Sequence, residues 1–262
     1  MDIWHDASNN WSELCALMGC ARIRVSGAVA HTYLIERSGT FYNFVIVQDP
    51  SSFVIEEVED VYAKQKLPFA IRIPKLVTYT DLETSLCNRG YSVAPAWVLM
   101  TQSECKSYEA NPEVEIDEID RSRMVEWCEL QNAFSQTLST KAVREEMIRR
   151  ILGDKSVHLL MASLNHRPVG TGLLFLKDDV ASIHLIATQF EFRRRHVAST
   201  LTIEAIRRTK SEKINLIWLR TRKGGVGEKV YTKIGFHFFT DILSYTKTPE
   251  LEDSNLPTPR PA

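Results

Sequence analysis

Between Ile183 and Lys210 the chain passes from a strand pattern to a helical one with only a tight basic turn separating them. Ile183 to Thr188 is short, apolar and free of Gly and Pro, which predicts a buried strand. From Val197 the apolar residues Val197, Leu201, Ala205 and Ile206 recur at helical spacing. Arg207, Arg208 and Lys210 fall in the last turns, where the helix dipole favours cations. The turn itself, Arg193-Arg194-Arg195-His196, aims free backbone N–H groups and the positive end of a helix at one point. Proteins hold a phosphate or pyrophosphate in this way. Three arginines read equally well as a solvated corner, and their place at a helix start is what brings phosphate contact into competition.

The rest of the chain supplies strands and helices in alternation. Helices are expected from Trp11 to Gly19, from Ser52 to Lys66 and from Thr80 to Asn88, with strands at Arg22–Glu36, Tyr42–Val47, Phe69–Ile73 and Tyr91–Thr101, the last broken by Pro95. A polar, acidic stretch from Gln102 to Ile119 contains a short strand near Val114 and marks a domain boundary close to Glu109. Helices carrying Met124 to Leu130 and, after a cap at Ser139-Thr140, Val143 to Leu152 come next. Strands at Val157–Leu164 and Val169–Leu176 lead into the Ile183 strand, and Ile214–Thr221, a helix at Glu228–Ile234 and a strand at Phe236–Tyr245 complete the order. Arg222 to Gly227 is glycine-rich but lacks the Gly-Lys-Ser/Thr ending of a phosphate loop, so it reads as a connection.

These residues resemble a family. Arg193-Arg194-Arg195-His196-Val197-Ala198 is similar to the Arg/Gln-x-x-Gly-x-Gly/Ala signature of the GNAT acyl-CoA-dependent N-acetyltransferases, and Val230-Tyr231-Thr232-Lys233-Ile234-Gly235-Phe236 is similar to that family's later Leu-Tyr-x-x-x-Gly-Phe block. His196 departs from it, standing where the family usually has glycine. Leu86 to Tyr91 is a weaker echo of the second block. The resemblance implies an α/β (α+β) fold, with a central, mixed, mostly antiparallel sheet flanked by helices. It implies a degenerate GNAT-like unit at residues 1–108, an N-acetyltransferase domain at 109–247 and a disordered tail at 248–262.

The resemblance also implies acetyl-CoA as donor and an amine, small or on a peptide, as acceptor, joined by direct attack in a ternary complex. N–H groups of Arg193, Arg194, Arg195, His196, Val197, Ala198 and Ser199 would face the pyrophosphate. The backbone of Ile186, Ala187 and Thr188 would pair with the pantetheine, with Ala187 or Thr188 as oxyanion donor. Tyr231 would protonate the leaving thiolate, since a phenol near pKa ~10 is protonated at neutral pH; on the residues alone it reads also as a packing tyrosine. His184, on the face of Ile186 and Thr188 by strand alternation, would take the amine's proton or else is a hydrogen-bonded core residue. If Arg194 and His196 point outward the N–H cradle survives; if they fill it, the domain is a catalytically inactive CoA-binding or protein-binding module.

Composition narrows the partners. Lys plus Arg total 32 against 33 for Asp plus Glu, so no overall field recruits nucleic acid or an anionic membrane. No apolar run approaches the roughly 20 residues that span a bilayer. Five scattered cysteines without a Cys-x-x-Cys pair read as reduced thiols, and with no secretory signal in view the expected location is cytoplasmic. No metal is expected, and the sequence leaves a homodimer open.

Overall fold

Two β-α-β units, alike in order, organise the chain. The computed structural model describes residues 2–33, 40, 43–102, 110–134 and 141–247. After α1 (Ile3–Leu17) and the hairpin of β1 (Ala21–Val25) and β2 (Ala28–Thr32), the first unit runs β3 (Phe44–Val47), α2 (Ile55–Gln65), β4 (Ala70–Pro74), α3 (Thr80–Asn88) and β5 (Ser92–Gln102). Then come β6 (Val114–Glu118), α4 (Met124–Phe134), α5 (Lys141–Ile151), β7 (Val157–Leu164) and β8 (Arg167–Lys177). The second unit runs β9 (Val180–Thr188), α6 (Val197–Ser211), β10 (Leu216–Arg222), α7 (Val226–Ile234) and β11 (His237–Thr246). The tail at 248–262, Cys105, the cap at Ser139-Thr140 and the boundary near Glu109 lie outside the described residues.

All the strands join one sheet in the order β1-β2-β3-β4-β11-β5-β10-β9-β8-β7-β6. Only β3 with β4 and β9 with β10 are parallel, each pair bridged by its crossover helix; the other pairs are antiparallel. The halves exchange strands at the centre. β11 of the second unit lies between β4 and β5, and β5 of the first lies between β11 and β10.

The echo between Leu86–Tyr91 and Tyr231–Phe236 is a shared helix ending. Gly90 and Gly235 have φ of 82° and 109°, and the following N–H groups reach back six residues inclusive, Tyr91 to the Leu86 carbonyl and Phe236 to the Tyr231 carbonyl, each at 3.0 Å. Leu86 therefore occupies the place that Tyr231 holds in the second unit, and no hydroxyl is available there.

Local chemistry explains two departures from expectation. α1 begins at Ile3 rather than near Trp11 because the Asp2 carboxylate caps it, accepting from the His5 N–H at 3.1 Å. β5 continues through Pro95 because its register against β11 shifts between Trp97↔Ile242 and Ala94↔Ser244, and a bulge is where a strand interior accommodates proline.

Three apolar clusters flank the sheet. One, around Trp4, Trp11, Phe44, Tyr62 and Trp218, lies under α1 and α2. A second lies under α6 and α7, and a third joins α4 and α5 to β7 and β8. Trp127 and Trp4 anchor theirs with both ring and N–H, donating to the Leu160 carbonyl at 2.9 Å and the Val47 carbonyl at 3.0 Å. Among the described residues no helix is long and apolar enough to cross a membrane, and Cys15, Cys20, Cys87 and Cys128 are free thiols.

Two histidines make this packing sensitive to acid. Burial, and then the Arg72 charge, push His31 down to about 4; burial, and then Arg220, push His184 down to about 3. Both lie below the unfolded value of ~6.5, so the unfolded chain binds more protons and stability falls as pH drops through that window. Urea unfolding at pH 7 and pH 5 should show a loss on the order of 2 kcal/mol per histidine. Equal midpoints would mean these rings are hydrated.

Candidate active site

The turn into α6 is built on left-handed backbone. Arg194 has φ 64° and His196 φ 60° with ψ 14°, the angles a glycine supplies at no steric cost. Histidine is among the few side chains enriched there. Arg193, Arg194, Arg195 and His196 are all exposed, so their side chains stand outside the turn. The first helical bond is from Thr200 N–H to the His196 carbonyl at 2.9 Å, and the Ser199 hydroxyl donates to the same oxygen at 2.9 Å. The N–H groups of Val197, Ala198 and Ser199 therefore have no acceptor within the helix. Asn111 ties the turn down, its Nδ2 donating to the Arg195 carbonyl at 3.1 Å and its N–H to Thr200 Oγ1 at 3.0 Å.

Gly170 and Gly172 of β8 let this corner close. A Cβ on Gly170 would stand 2.7 Å from Val197 Cγ1 and 2.8 Å from the Ala187 carbonyl; one on Gly172 would stand 2.8 Å from Ile186 Cδ1. The start of α6 and the end of β9 thus meet over bare backbone.

β9 and β10 then part. Their parallel pairing runs from Val180↔Leu216 to Ile183↔Leu219 and stops. Beyond it, His184 to Thr188 pair only with β8, and Arg220 to Arg222 only with β5. Between the diverging strands the main chain of Ile186, Ala187 and Thr188 borders an opening, with the α6 turn at its far end. The Thr188 hydroxyl and the Gln189 side-chain carbonyl are buried there without hydrogen-bond partners.

One expectation is corrected here. His184 does not share a face with Ile186. Leu185 has φ 53°, and the register against β8 slips between Leu173↔His184 and Thr171↔Ala187, a bulge that turns the later residues over. Ile183 and Ile186 both pack under α6, whereas the His184 ring meets Trp218 edge-on at 5.3 Å on the opposite face. His184 is held neutral, with Nε2 buried and unpartnered.

Tyr231 sits on α7 within the apolar cluster under α6 and α7. It is nearly buried, burial pushes it up to about 12, and its ring packs on Phe236 at 6.0 Å. A Cβ on Gly227 would stand 3.3 Å from Tyr231 Cε2 and 2.5 Å from Thr221 Oγ1. The first turn of α7 therefore presses against the free end of β10. The glycine-rich connection is pinned: the Gly224 N–H donates to Glu228 Oε2, and Lys223 Nζ to Asp241 Oδ2, both at 2.6 Å.

Sequence reasoning passed over Gln131 and Thr171. Gln131, buried on α4, donates to Thr171 Oγ1 and to the Leu185 carbonyl, which Thr171 also reaches at 3.3 Å. These bonds hold the bulge. The signal was an adjacent pair of amides, Gln131 and Asn132, within the apolar pattern of α4. Among the described residues no group of three or more His, Cys, Asp or Glu side chains is arranged to hold a metal ion. A cavity of about 470 Å³ lies at the far edge of the sheet against β6 and β7, away from this opening.

Residues 124–236, less than half of the chain, match the model of the Acetyltransferase (GNAT) family. No curated protein matches the chain by sequence. Among solved structures, a GCN5-related N-acetyltransferase from Kribbella flavida superposes with a TM-score of 0.73 at 12% identity, covering 97% of this chain and 99% of that one. One from Sphaerobacter thermophilus gives 0.64 at 13%, covering 84% and 76%. A functionally unknown conserved protein from Staphylococcus epidermidis gives 0.65 at 14%, covering 88% and 94%. At these identities the likeness establishes the fold, through both halves of the chain in the first case.

Proposed function

We propose that this chain, whose residues 124–236 form an acetyltransferase domain of the GNAT family, is an acetyl-CoA-dependent N-acetyltransferase acting on a primary amine. The observation that carries the reading is the parting of β9 and β10 after Ile183 and Leu219, with an uncapped helix start at the end of the opening and every basic side chain of that turn outside it.

Acetyl-CoA supplies an acetyl group activated as a thioester. Val197, Ala198 and Ser199 N–H groups, with those of Arg194 to His196, fit its diphosphate, and the exposed guanidinium groups add charge; the Arg193 N–H is taken by the Phe190 carbonyl at 3.2 Å. The main chain of Ile186 to Thr188 fits an extended amide chain added as a strand, and an N–H of Ala187 or Thr188 is aimed where an oxyanion develops. Transfer forms one N–C bond and breaks one C–S bond; the amine loses a proton and the thiolate gains one. Tyr231, fully protonated at pH 7, is the donor to sulfur. His184, neutral with a free Nε2, accepts the amine's hydrogen directly or through water rather than storing a proton.

The division into units at 1–108 and 109–247 belongs to the same proposal, as does a cytoplasmic setting, favoured by the free thiols among the described residues. Titration calorimetry should give one acetyl-CoA site per chain, and a thiol-release assay with a panel of primary amines should give turnover. Binding without release for any amine would leave a CoA-binding module, and no binding would remove the proposal.

A further inference from the structure

Two hydrogen bonds, one at each end of β9, show which edge its main chain faces, and they are out of phase. The Asp179 carbonyl accepts from the Leu216 N–H of β10 at 3.4 Å, so by strand alternation the main-chain groups of Ala181 and Ile183 also face β10. In an unbroken strand Leu185, Ala187 and Gln189 would follow them. Gln189 instead donates its N–H to the Val169 carbonyl at 2.8 Å, toward β8, and the Ala187 carbonyl lies on that side too, 2.8 Å from where a Cβ on Gly170 would stand. The phase therefore slips by one residue between Ile183 and Ala187, where Leu185 has φ 53°. The slip decides which amides border the opening. Ile186 and Thr188 turn their N–H and C=O groups into it, and Ala187 turns away.

Leucine does not favour that angle on its own. The short polar side chains of Asn and Asp can visit the left-handed region by bonding locally, and the exposed Leu185 side chain has no such group. The angle is held from α4 and β8. Gln131 Nε2 donates to Thr171 Oγ1 and to the Leu185 carbonyl, and the Thr171 hydroxyl donates to the same carbonyl at 3.3 Å. Gln131 and Thr171 are both buried. Both hydrogens of the amide are used, the hydroxyl accepts and donates, and the carbonyl takes two donors, so the ring of three bonds closes on itself.

Resting on the acetyltransferase reading, we infer that Gln131 is a positioning residue for the transfer: by holding the Leu185 carbonyl it keeps the main chain of Ile186 and Thr188 turned into the opening, so that Thr188 rather than Ala187 supplies the oxyanion N–H. Without that hold Leu185 returns to an extended angle, the phase of Ile183 runs on, and Thr188 turns toward β8. Gln131→Met fills similar space with no donor. It should lower kcat about 10- to 100-fold, the cost of misplacing a catalytic group by up to about 1 Å. Leu185→Gly, added to Gln131→Met, takes the left-handed angle freely and should restore kcat to within about threefold of Leu185→Gly alone. Thr171→Ser, which keeps the hydroxyl, should retain the parent's rate, and Thr171→Val should lose part of it.

A Gln131→Met protein that melts earlier yet keeps the parent's kcat, or one that Leu185→Gly does not restore, would overturn the inference and leave the transferase intact. If Gln131→Met does not fold, amide hydrogen exchange in the parent protein decides. Ile186 and Thr188 should exchange freely and become protected by acetyl-CoA, with Ala187 protected throughout; fast exchange at Ala187 beside a protected Thr188 would overturn it. If acetyl-CoA binds but no amine is acetylated, the transferase reading fails and affinity replaces rate as the readout. Gln131→Met should then weaken acetyl-CoA about tenfold, reversed by Leu185→Gly, because the pantetheine pairs with the same groups; unchanged affinity would remove the positioning role.

Discussion

Tyr231→Phe should lower kcat about 100-fold or more while leaving acetyl-CoA affinity within about twofold, the signature of a lost proton donor. The substitution isolates the hydroxyl. A phenylalanine ring retains the contact with Phe236, and the hydroxyl has no hydrogen bond to a described residue, so the melting temperature should hardly move. Burial pushes the phenol up to about 12, so it stays protonated across the working range and the parent's rate should show no alkaline limb from this group below about pH 10. Gly227 allows the first turn of α7 to lie on Thr221, and Gly235 then ends the helix so that Phe236 backs the Tyr231 ring. A Tyr231→Phe variant with the parent's kcat would transfer the acid role to water.

What was legible in the sequence was local. The strand, basic turn and helix from Ile183 to Lys210 and the glycine-ended helices before Tyr91 and Phe236 follow from spacing and turn residues that act over a few positions, and the mixed, mostly antiparallel sheet from the family resemblance. The exchange of β5 and β11 was not legible, because pairing Val98 with Asp241 and Leu99 with Arg220 depends on segments more than a hundred residues apart. The bulge at Leu185 was hidden for another reason. No glycine marks its positive φ; the angle is imposed from outside, by Gln131 and Thr171 holding the Leu185 carbonyl. Alternation read through that point put His184 on the wrong face. Conversely, the left-handed angles of Arg194 and His196 were legible through a departure: a position suited to glycine can be held by histidine when its carbonyl is tied to Thr200 and Ser199 and its ring stands in solvent.

That corner yields the second large effect. His196→Gly keeps φ near 60° with no Cβ, so acetyl-CoA affinity should be retained and stability unchanged or raised by up to about 1 kcal/mol. His196→Ile places a β-branched side chain where such residues are outliers, at a cost of about 1–3 kcal/mol. The backbone escapes that cost by leaving the left-handed region, which rotates the Val197, Ala198 and Ser199 N–H groups away from their common point. Affinity should then fall more than about tenfold by calorimetry, in a protein whose circular dichroism still reports the sheet and α6. Gly170→Val reaches the same point from below: its Cβ would meet the Ala187 carbonyl at 2.8 Å, main chain that cannot swing aside, and Val197 Cγ1 at 2.7 Å. It should therefore lose both affinity and thermal stability, whereas His196→Gly loses neither. Were His196→Ile to bind acetyl-CoA as tightly as the parent, the converging amides would not be what holds the diphosphate, and the exposed arginines would have to hold it by charge alone, a contact that about 0.5 M salt would weaken far more than an amide cradle.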